Sequence, residues 1–284
     1  MSTDSHTKIW EQHALACSRG DATYRDPATG YQVMSRVGLL GRAQCCGSGC
    51  RHCPFEHAEV PSERRPPEAH WLHEGAHGEA TVGEVDVLFW SGGKDSYAAY
   101  LAIQEEGARP CVWLTTYDGV AGRVAHQELS LDVIRTQARA LGVPSLAVPL
   151  ARGGAYVEQV ERGLQRILRR SRVSRLVFGD LHLAEIRRWR EAMLGPLAAA
   201  SGAELYFPLW HVEYDILRRR LDTSGATFRV CASNIPDHLE LGAPWSPMRL
   251  SGLPDSVDAF GERGEFHTEV IIPASGEDDL SGST

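Results

Sequence analysis

From Val85 onward, short apolar runs alternate with stretches of helical period, and this alternation constrains the fold more than any other feature. The runs are Val85–Trp90, Cys111–Thr115, Ser145–Pro149, Arg175–Phe178 and Glu204–Pro208. Between and after them lie amphipathic patterns at 95–106, 126–141, 154–171, 184–200 and 212–222. Strands joined by helices of this length require right-handed crossovers and a parallel sheet covered on both faces. The runs are almost continuously apolar, as strands buried on two sides must be. The expected fold class is therefore α/β, with a doubly wound, mainly parallel sheet. Ligands bind beyond the carboxyl ends of strands in such sheets. That rule directs attention to Ser91–Ser96, Thr116–Gly119, Gly179–His182 and Leu209–His211.

The remainder of the chain has a different texture. Residues 1–57 carry few long apolar patterns and contain four of the seven cysteines within nine residues. Residues 58–83 are rich in Pro, Glu, Gly and His and read as an exposed linker, in which His70, His73 and His77 are linker residues, with a second metal site as the alternative. Residues 84–272 form the α/β domain, and 273–284 are expected to be a disordered acidic tail. A formal charge of −8 argues against broad nucleic-acid binding, which depends on neutralising phosphates. The basic stretches Arg166–Arg175 and Arg187–Arg190 read as solvated helix faces. No run is long and apolar enough to span a bilayer, and the first residues lack the form of a signal peptide, so a cytoplasmic location is expected. In that compartment the cysteines are reduced thiols or metal ligands rather than disulfides.

The stretch Ser91-Gly92-Gly93-Lys94-Asp95-Ser96 joins the first strand to the first helix of the α/β region. Backbone amides and the helix dipole favour an anion at such a junction. The glycines let the backbone approach phosphate oxygens, Ser91 and Ser96 add hydroxyl donors, Lys94 adds a positive charge, and Asp95 orients the loop or holds Mg²⁺ through water. A Walker A loop has four residues between its glycines and a Gly-Lys-Ser/Thr ending, and this loop lacks that spacing. It resembles instead the pyrophosphate loop of the N-type ATP pyrophosphatases (the PP-loop group), whose SGGxDS signature it matches at every fixed position. The resemblance implies an adenine nucleotide alpha hydrolase-like, Rossmann-like fold. It also implies a cut between the α- and β-phosphates of ATP, with a substrate oxygen attacking the α-phosphate. Thr116, Gly179 and Asp180, at the ends of neighbouring strands, join the expected nucleotide site.

Two further blocks are similar to the diphthine–ammonia ligase family. In Val177–Trp210 the matching positions are Gly179, Asp180, Arg187, Arg190, Glu191, Pro208, Leu209 and Trp210. Arg187 and Arg190 are three apart on one helix face and are expected to reach a common anion. In Asp258–Val270 the matches are Gly261, Glu262, Gly264, Glu265, Phe266, His267 and Thr268, with Arg263 standing where the family has Asn. The resemblance implies an AMP- and pyrophosphate-forming amide ligase. Lys94, Asp95, Arg187, Arg190, Glu262, Glu265 and His267 would be its catalytic residues, ATP and Mg²⁺ its cofactors, and ammonia with a small-molecule or protein-side-chain carboxylate its substrates. The family amidates diphthine on elongation factor 2, but the second block looks closer to bacterial relatives, so the acceptor stays open. Two other readings stand beside it: sulfur transfer to tRNA, disfavoured by the acidic charge, and a nucleotide- or metal-binding protein without turnover.

The cysteine stretch resembles a short bacterial domain of unknown function, marked by Asp-Pro-x-Thr-Gly-Tyr and Cys-Cys-Gly-x-Gly-Cys-Arg-His-Cys-Pro. Cys50 and Cys53 have the spacing of a metal knuckle. Cys45 or Cys46, with His52 or His57, would complete four ligands for zinc or an iron–sulfur cluster. A redox thiol pair and a packing role are the alternatives. Cys17, Cys111 and Cys231 read as small buried apolar residues.

Overall fold

A computed structural model describes residues 3–55, 57–61, 68–75, 83–107, 109–150, 156–246, 254 and 256–273. His77 and the tail beyond residue 273 lie outside the described residues. The elements are α1 (Thr3–Arg19), β1 (Thr23–Arg25), β2 (Gln32–Met34), α2 (Arg36–Leu40), β3 (His70–His73), β4 (Glu84–Phe89), α3 (Lys94–Glu105), β5 (Cys111–Asp118) and α4 (Leu131–Leu141). There follow β6 (Ser145–Leu150), α5 (Tyr156–Leu168), β7 (Arg172–Val177), α6 (Ala184–Ala200), β8 (Glu204–Tyr206), α7 (Tyr214–Asp222), β9 (Thr227–Ser233), β10 (Pro244–Trp245) and β11 (Phe266–Ile271).

The central sheet has the order β3-β6-β5-β4-β7-β8. All its pairings are parallel except β3 with β6. The chain winds outward from β4 to β5 and β6, then returns to place β7 on the other side of β4. The carboxyl end of β4 is therefore the topological switch point, where adjoining connections run to opposite faces and leave a crevice. The α/β, doubly wound reading of the sequence holds.

Alternation within the strands sends side chains to two cores. Cys111 and Trp113 join α3, α4 and α7 on one face, while Val112 and Leu114 join α5 and α6 on the other. Trp90 continues beyond β4 and stacks flat on Trp113 with ring centroids 3.6 Å apart. Beneath the sheet's amino end the buried Asp86 carboxylate accepts a fork of bonds from Arg175, at 3.0 and 2.5 Å, and a third from Arg109 at 3.1 Å.

Three features differ from the sequence reading. The helix expected over 126–141 begins at Leu131, because Ser130 caps it through a bond from Val133 N–H to its Oγ. Upstream, His126 and Glu128 have φ of 68° and 55°, which an α-helix cannot accommodate. His70–His73, inside the expected exposed linker, is an antiparallel edge strand with Leu72 buried. Finally, β10, β9 and β11 form a separate antiparallel sheet in that order, which the alternation did not disclose.

The amino-terminal residues lie against the α/β unit. Helix α1 packs on α6 with Ile9 and Ala16 buried. Arg51 pairs with Glu158 on α5 at 3.3 Å, and Arg169 donates to the Pro54 carbonyl at 2.7 Å. No helix among the described residues is long and apolar enough to cross a membrane.

Candidate active site

A cleft of about 320 Å³ opens at the carboxyl end of β4, at the switch point. Its polar floor is the β4–α3 loop: Ser91, Gly93, Lys94, Asp95 and Ser96 all face it. Thr116, Gly179 and Asp180 line it from β5 and β7, Arg190 from α6, and Glu262 and His267 from the turn before β11 and its first residues. Phe89, Leu114, Val124, Leu183 and Ile186 supply an apolar wall. Segments far apart in the chain thus converge on one volume, with most of the expected residues in it.

The loop is held by its neighbours. Gly92 has φ +85°, a conformation costly for a residue with a Cβ, and its carbonyl accepts from Gln137 Nε2 at 3.1 Å and Val270 N–H at 2.9 Å. Lys94 N–H donates to Thr268 Oγ1 at 3.2 Å, and Ser96 Oγ donates to Gly93 O at 2.9 Å. Gly179 has a packing role: a Cβ there would stand 2.7 Å from Asp95 O, so only glycine lets β7 end against the first turn of α3. Gly92 shapes the loop from outside the cleft lining.

Lys94 is 2% exposed. Its ammonium pairs with Asp95 at 2.8 Å and lies 5.5–5.8 Å from the ring centres of Trp245, Phe260 and Phe266. Burial raises the Asp95 pKa against the pull of Lys94, and Asp180 and Asp258 add to the rise. Burial, then the charge of Asp95, lifts Glu262 to about 8. Burial, then Lys94 and His126, lowers His267 to about 4, so its imidazole is neutral at pH 7. The centre is an excess of carboxylates around one lysine, and Asp95 Oδ1 is buried without a hydrogen-bond partner among the described residues. Such a donor set suits Mg²⁺, which takes one or two carboxylates and completes its shell with water and substrate phosphates.

Two expectations differ from the structure. Arg187 and Arg190 do not share an anion. Arg190 makes a fork to Asp180, with Nη2 to Oδ1 at 3.0 Å, whereas Arg187 pairs with Glu191 at 2.8 Å and lies over the rings of Phe207 and Trp210. Glu265 stays out of the cleft because both of its oxygens knit the turn, accepting from Asp258 N–H at 2.9 Å and Arg263 N–H at 3.0 Å. Arg263 is exposed and does not line the cleft.

The structure also supplies residues the sequence reading missed. Gln137 accepts from Trp90 Nε1 at 2.9 Å and donates to Gly92 O and to Val270 O, tying strand, loop and β11 together. Its signal was present: it falls beside Ile134 and Ala138 on the buried face of α4, where a polar side chain must serve some bond. His126 and Gln127 also line the cleft, from the left-handed turn that carries no sequence pattern. Tyr214 donates to Asp258 at 2.9 Å, and Asp258 Oδ1 accepts from Phe260 N–H, setting the turn that presents Glu262.

The loop at the switch point, clamped at a glycine-shaped helix start, falls within a segment that a known family model matches. Residues 84–195 match the diphthamide synthase N-terminal domain. This is a PP-loop domain of the ATP-pyrophosphatase type, and the diphthamide-synthase-type segment spans β4 to α6, including the phosphate loop, Thr116, Gly179, Asp180, Arg187 and Arg190. The turn at Asp258–Glu265 and strand β11 lie beyond the matched residues. Residues 12–59 match a family of unknown function.

The cysteines stand apart from the cleft, and none of the seven lines it. Their sulfurs form two pairs: Cys46 with Cys50 at 3.3 Å, and Cys45 with Cys53 at 3.9 Å. No three of them lie within 4.8 Å of one another, so the four do not converge on one point as arranged. His52 and His57 are engaged elsewhere, His52 with Tyr24 Oη at 2.8 Å and His57 with the Cys50 carbonyl at 2.9 Å. His13, His52 and Glu161 do place ligand-type atoms within 4.8 Å of one another. However, the two imidazoles stack at 3.7 Å with 9° between their planes, and no ion can lie in both ring planes at once.

Proposed function

We propose that this chain splits ATP into AMP and pyrophosphate while adenylating a substrate carboxylate, which ammonia then converts to an amide. The observation that carries the reading is the cleft itself. A Ser-Gly-Gly-Lys-Asp-Ser loop at the switch point shares one volume with Glu262 and His267 from a segment more than 160 residues away.

In this reading the loop and the start of α3 bind the β- and γ-phosphates as a leaving unit, and the apolar wall of Phe89, Leu114 and Ile186 receives the adenine. Asp95 and Asp180 would hold Mg²⁺, which would neutralise phosphate charge there. Arg190, oriented by its fork to Asp180, faces the α-phosphate and stabilises charge that develops there as the carboxylate attacks. Ammonia attacks the acyl adenylate beside Glu262, AMP leaves, and the neutral imidazole of His267 takes the proton that the attacking nitrogen sheds. Lys94 balances the acidic centre while fixing Asp95. The cysteines do not line the cleft, which leaves the sulfur-transfer reading without a sulfur donor at the site.

The test is a screen for pyrophosphate release with ATP, ammonium and candidate carboxylic acids, with products followed by mass spectrometry. An acid should become its amide with stoichiometric AMP. Asp95→Asn should abolish release. Formation of ADP and phosphate instead would refute the reading.

A further inference from the structure

We propose that Cys45, Cys46, Cys50 and Cys53 are the four thiolate ligands of one thiophilic metal ion of the zinc class, the two sulfur pairs forming opposite edges of its tetrahedron. Metal–sulfur bonds of about 2.3 Å set tetrahedral sulfur–sulfur edges near ~3.8 Å. The observed pairs, at 3.3 and 3.9 Å, bracket that length.

The pairing also explains the adjacent cysteines. Side chains of neighbouring residues diverge, and here Cys45 and Cys46 turn to different partners, one for each edge. One backbone donor supplies an independent observation. Gly47 N–H donates to Cys45 Sγ at 3.5 Å. An amide hydrogen aimed at sulfur favours the thiolate at that atom, the form a soft cation binds. Around the sulfurs Val60 and Phe55 form an apolar shell that limits water.

The pairs still stand apart, so the ion must draw them together, and its binding free energy becomes folding free energy for the loop. The nearby histidines have other neighbours: His57 Nε2 bonds the Cys50 carbonyl, and His52 stacks on His13. The site would pin the segment that carries Arg51 and Pro54, and through them its grip on α5 and the α5–β7 turn.

The experiment uses the reduced, metal-stripped full chain, titrated with Zn²⁺ against a chromogenic chelator and with Co²⁺ for its absorption spectrum. One equivalent should bind, with thiolate-to-cobalt charge-transfer intensity for four sulfurs and the visible bands of a tetrahedral ion. Cys46→Ser should weaken zinc binding at least ~100-fold, given that even outer-shell changes weaken it ~10–100-fold. Cys17→Ser and His52→Gln should retain it. The proposal is overturned if cobalt gives no thiolate band, if a Cys46→Ser/Cys50→Ser double variant keeps its zinc, or if Glu161→Gln loses it. Should the cysteine variants fail to fold, the cobalt spectrum of the unaltered chain decides alone.

Discussion

Gln137 offers the sharpest test of how the cleft is held. Gln137→Leu keeps the volume and removes three buried hydrogen bonds: Trp90 Nε1 to its oxygen at 2.9 Å, and its amide to Gly92 O at 3.1 Å and Val270 O at 2.8 Å. Each bond contributes about 1 kcal/mol net, and a buried donor stripped of its partner costs about 1–3 kcal/mol. Gly92 O keeps Val270 N–H, so the larger loss falls on Trp90 Nε1, and the sum is about 2–4 kcal/mol. For a domain of this size that lowers Tm by roughly 4–16 °C. The loop's carbonyl would also lose one of its two anchors, so affinity for ATP should fall about tenfold, or ~1.4 kcal/mol. Thermal melts with and without ATP, together with calorimetric titration of the nucleotide, read both effects. A variant that melts within a degree of the parent and binds ATP equally would refute the reasoning.

Gly179→Ala should destabilise by about 1–3 kcal/mol and abolish ATP binding, because its methyl meets Asp95 O at 2.7 Å; a chemical denaturation curve and a nucleotide titration check it. Arg175→Met should cost about 3 kcal/mol by leaving Asp86 short of its fork, whereas Arg109→Met, at a position 39% exposed, should cost less than about 1 kcal/mol; paired urea melts separate them. Acid should loosen the amino-terminal segment. Burial lowers His13 to about 4 and His52 to about 3, so the folded form binds fewer protons there and loses stability as pH falls from about 6.5. Burial raises Glu161 to about 7, which opposes the trend between its unfolded value and 7, but two imidazoles outweigh one carboxylate. Melting temperature should therefore drop between pH 6.5 and 5, and drop less in His52→Gln; equal slopes would count against this.

The α/β core was legible because a strand buried on both faces leaves an unbroken apolar run, and a helix between two such strands leaves a period. Pattern of that kind fails where burial is partial. His70–His73 buries only Leu72 and Ala69 beside it, so its composition reads as linker although its backbone closes the sheet. The β9–β11 sheet is short and carries the Glu262 turn, so its residues were recognised by motif while their architecture was not. Within the site, the phosphate loop and Gly179 were visible as fixed chemistry at strand ends. The division between Arg187 and Arg190 was not, because one helix face carries both and the outcome depends on Asp180 and Glu191 being within reach. Gln137 depended on long-range partners, Gly92 and Val270, that no local window contains.

Strand β3 has one more consequence. It covers β6, whose sequence Ser-Leu-Ala-Val-Pro-Leu is buried over five of six residues. A chain begun at Glu84, where the diphthamide-synthase-type match starts, would present that strand as a bare sheet edge with unpaired amides along an apolar ribbon. Such edges recruit one another. Self-association of the shortened protein would then reflect a lost border strand rather than any native assembly, and the few residues around Trp71 would act as the molecule's guard against aggregation.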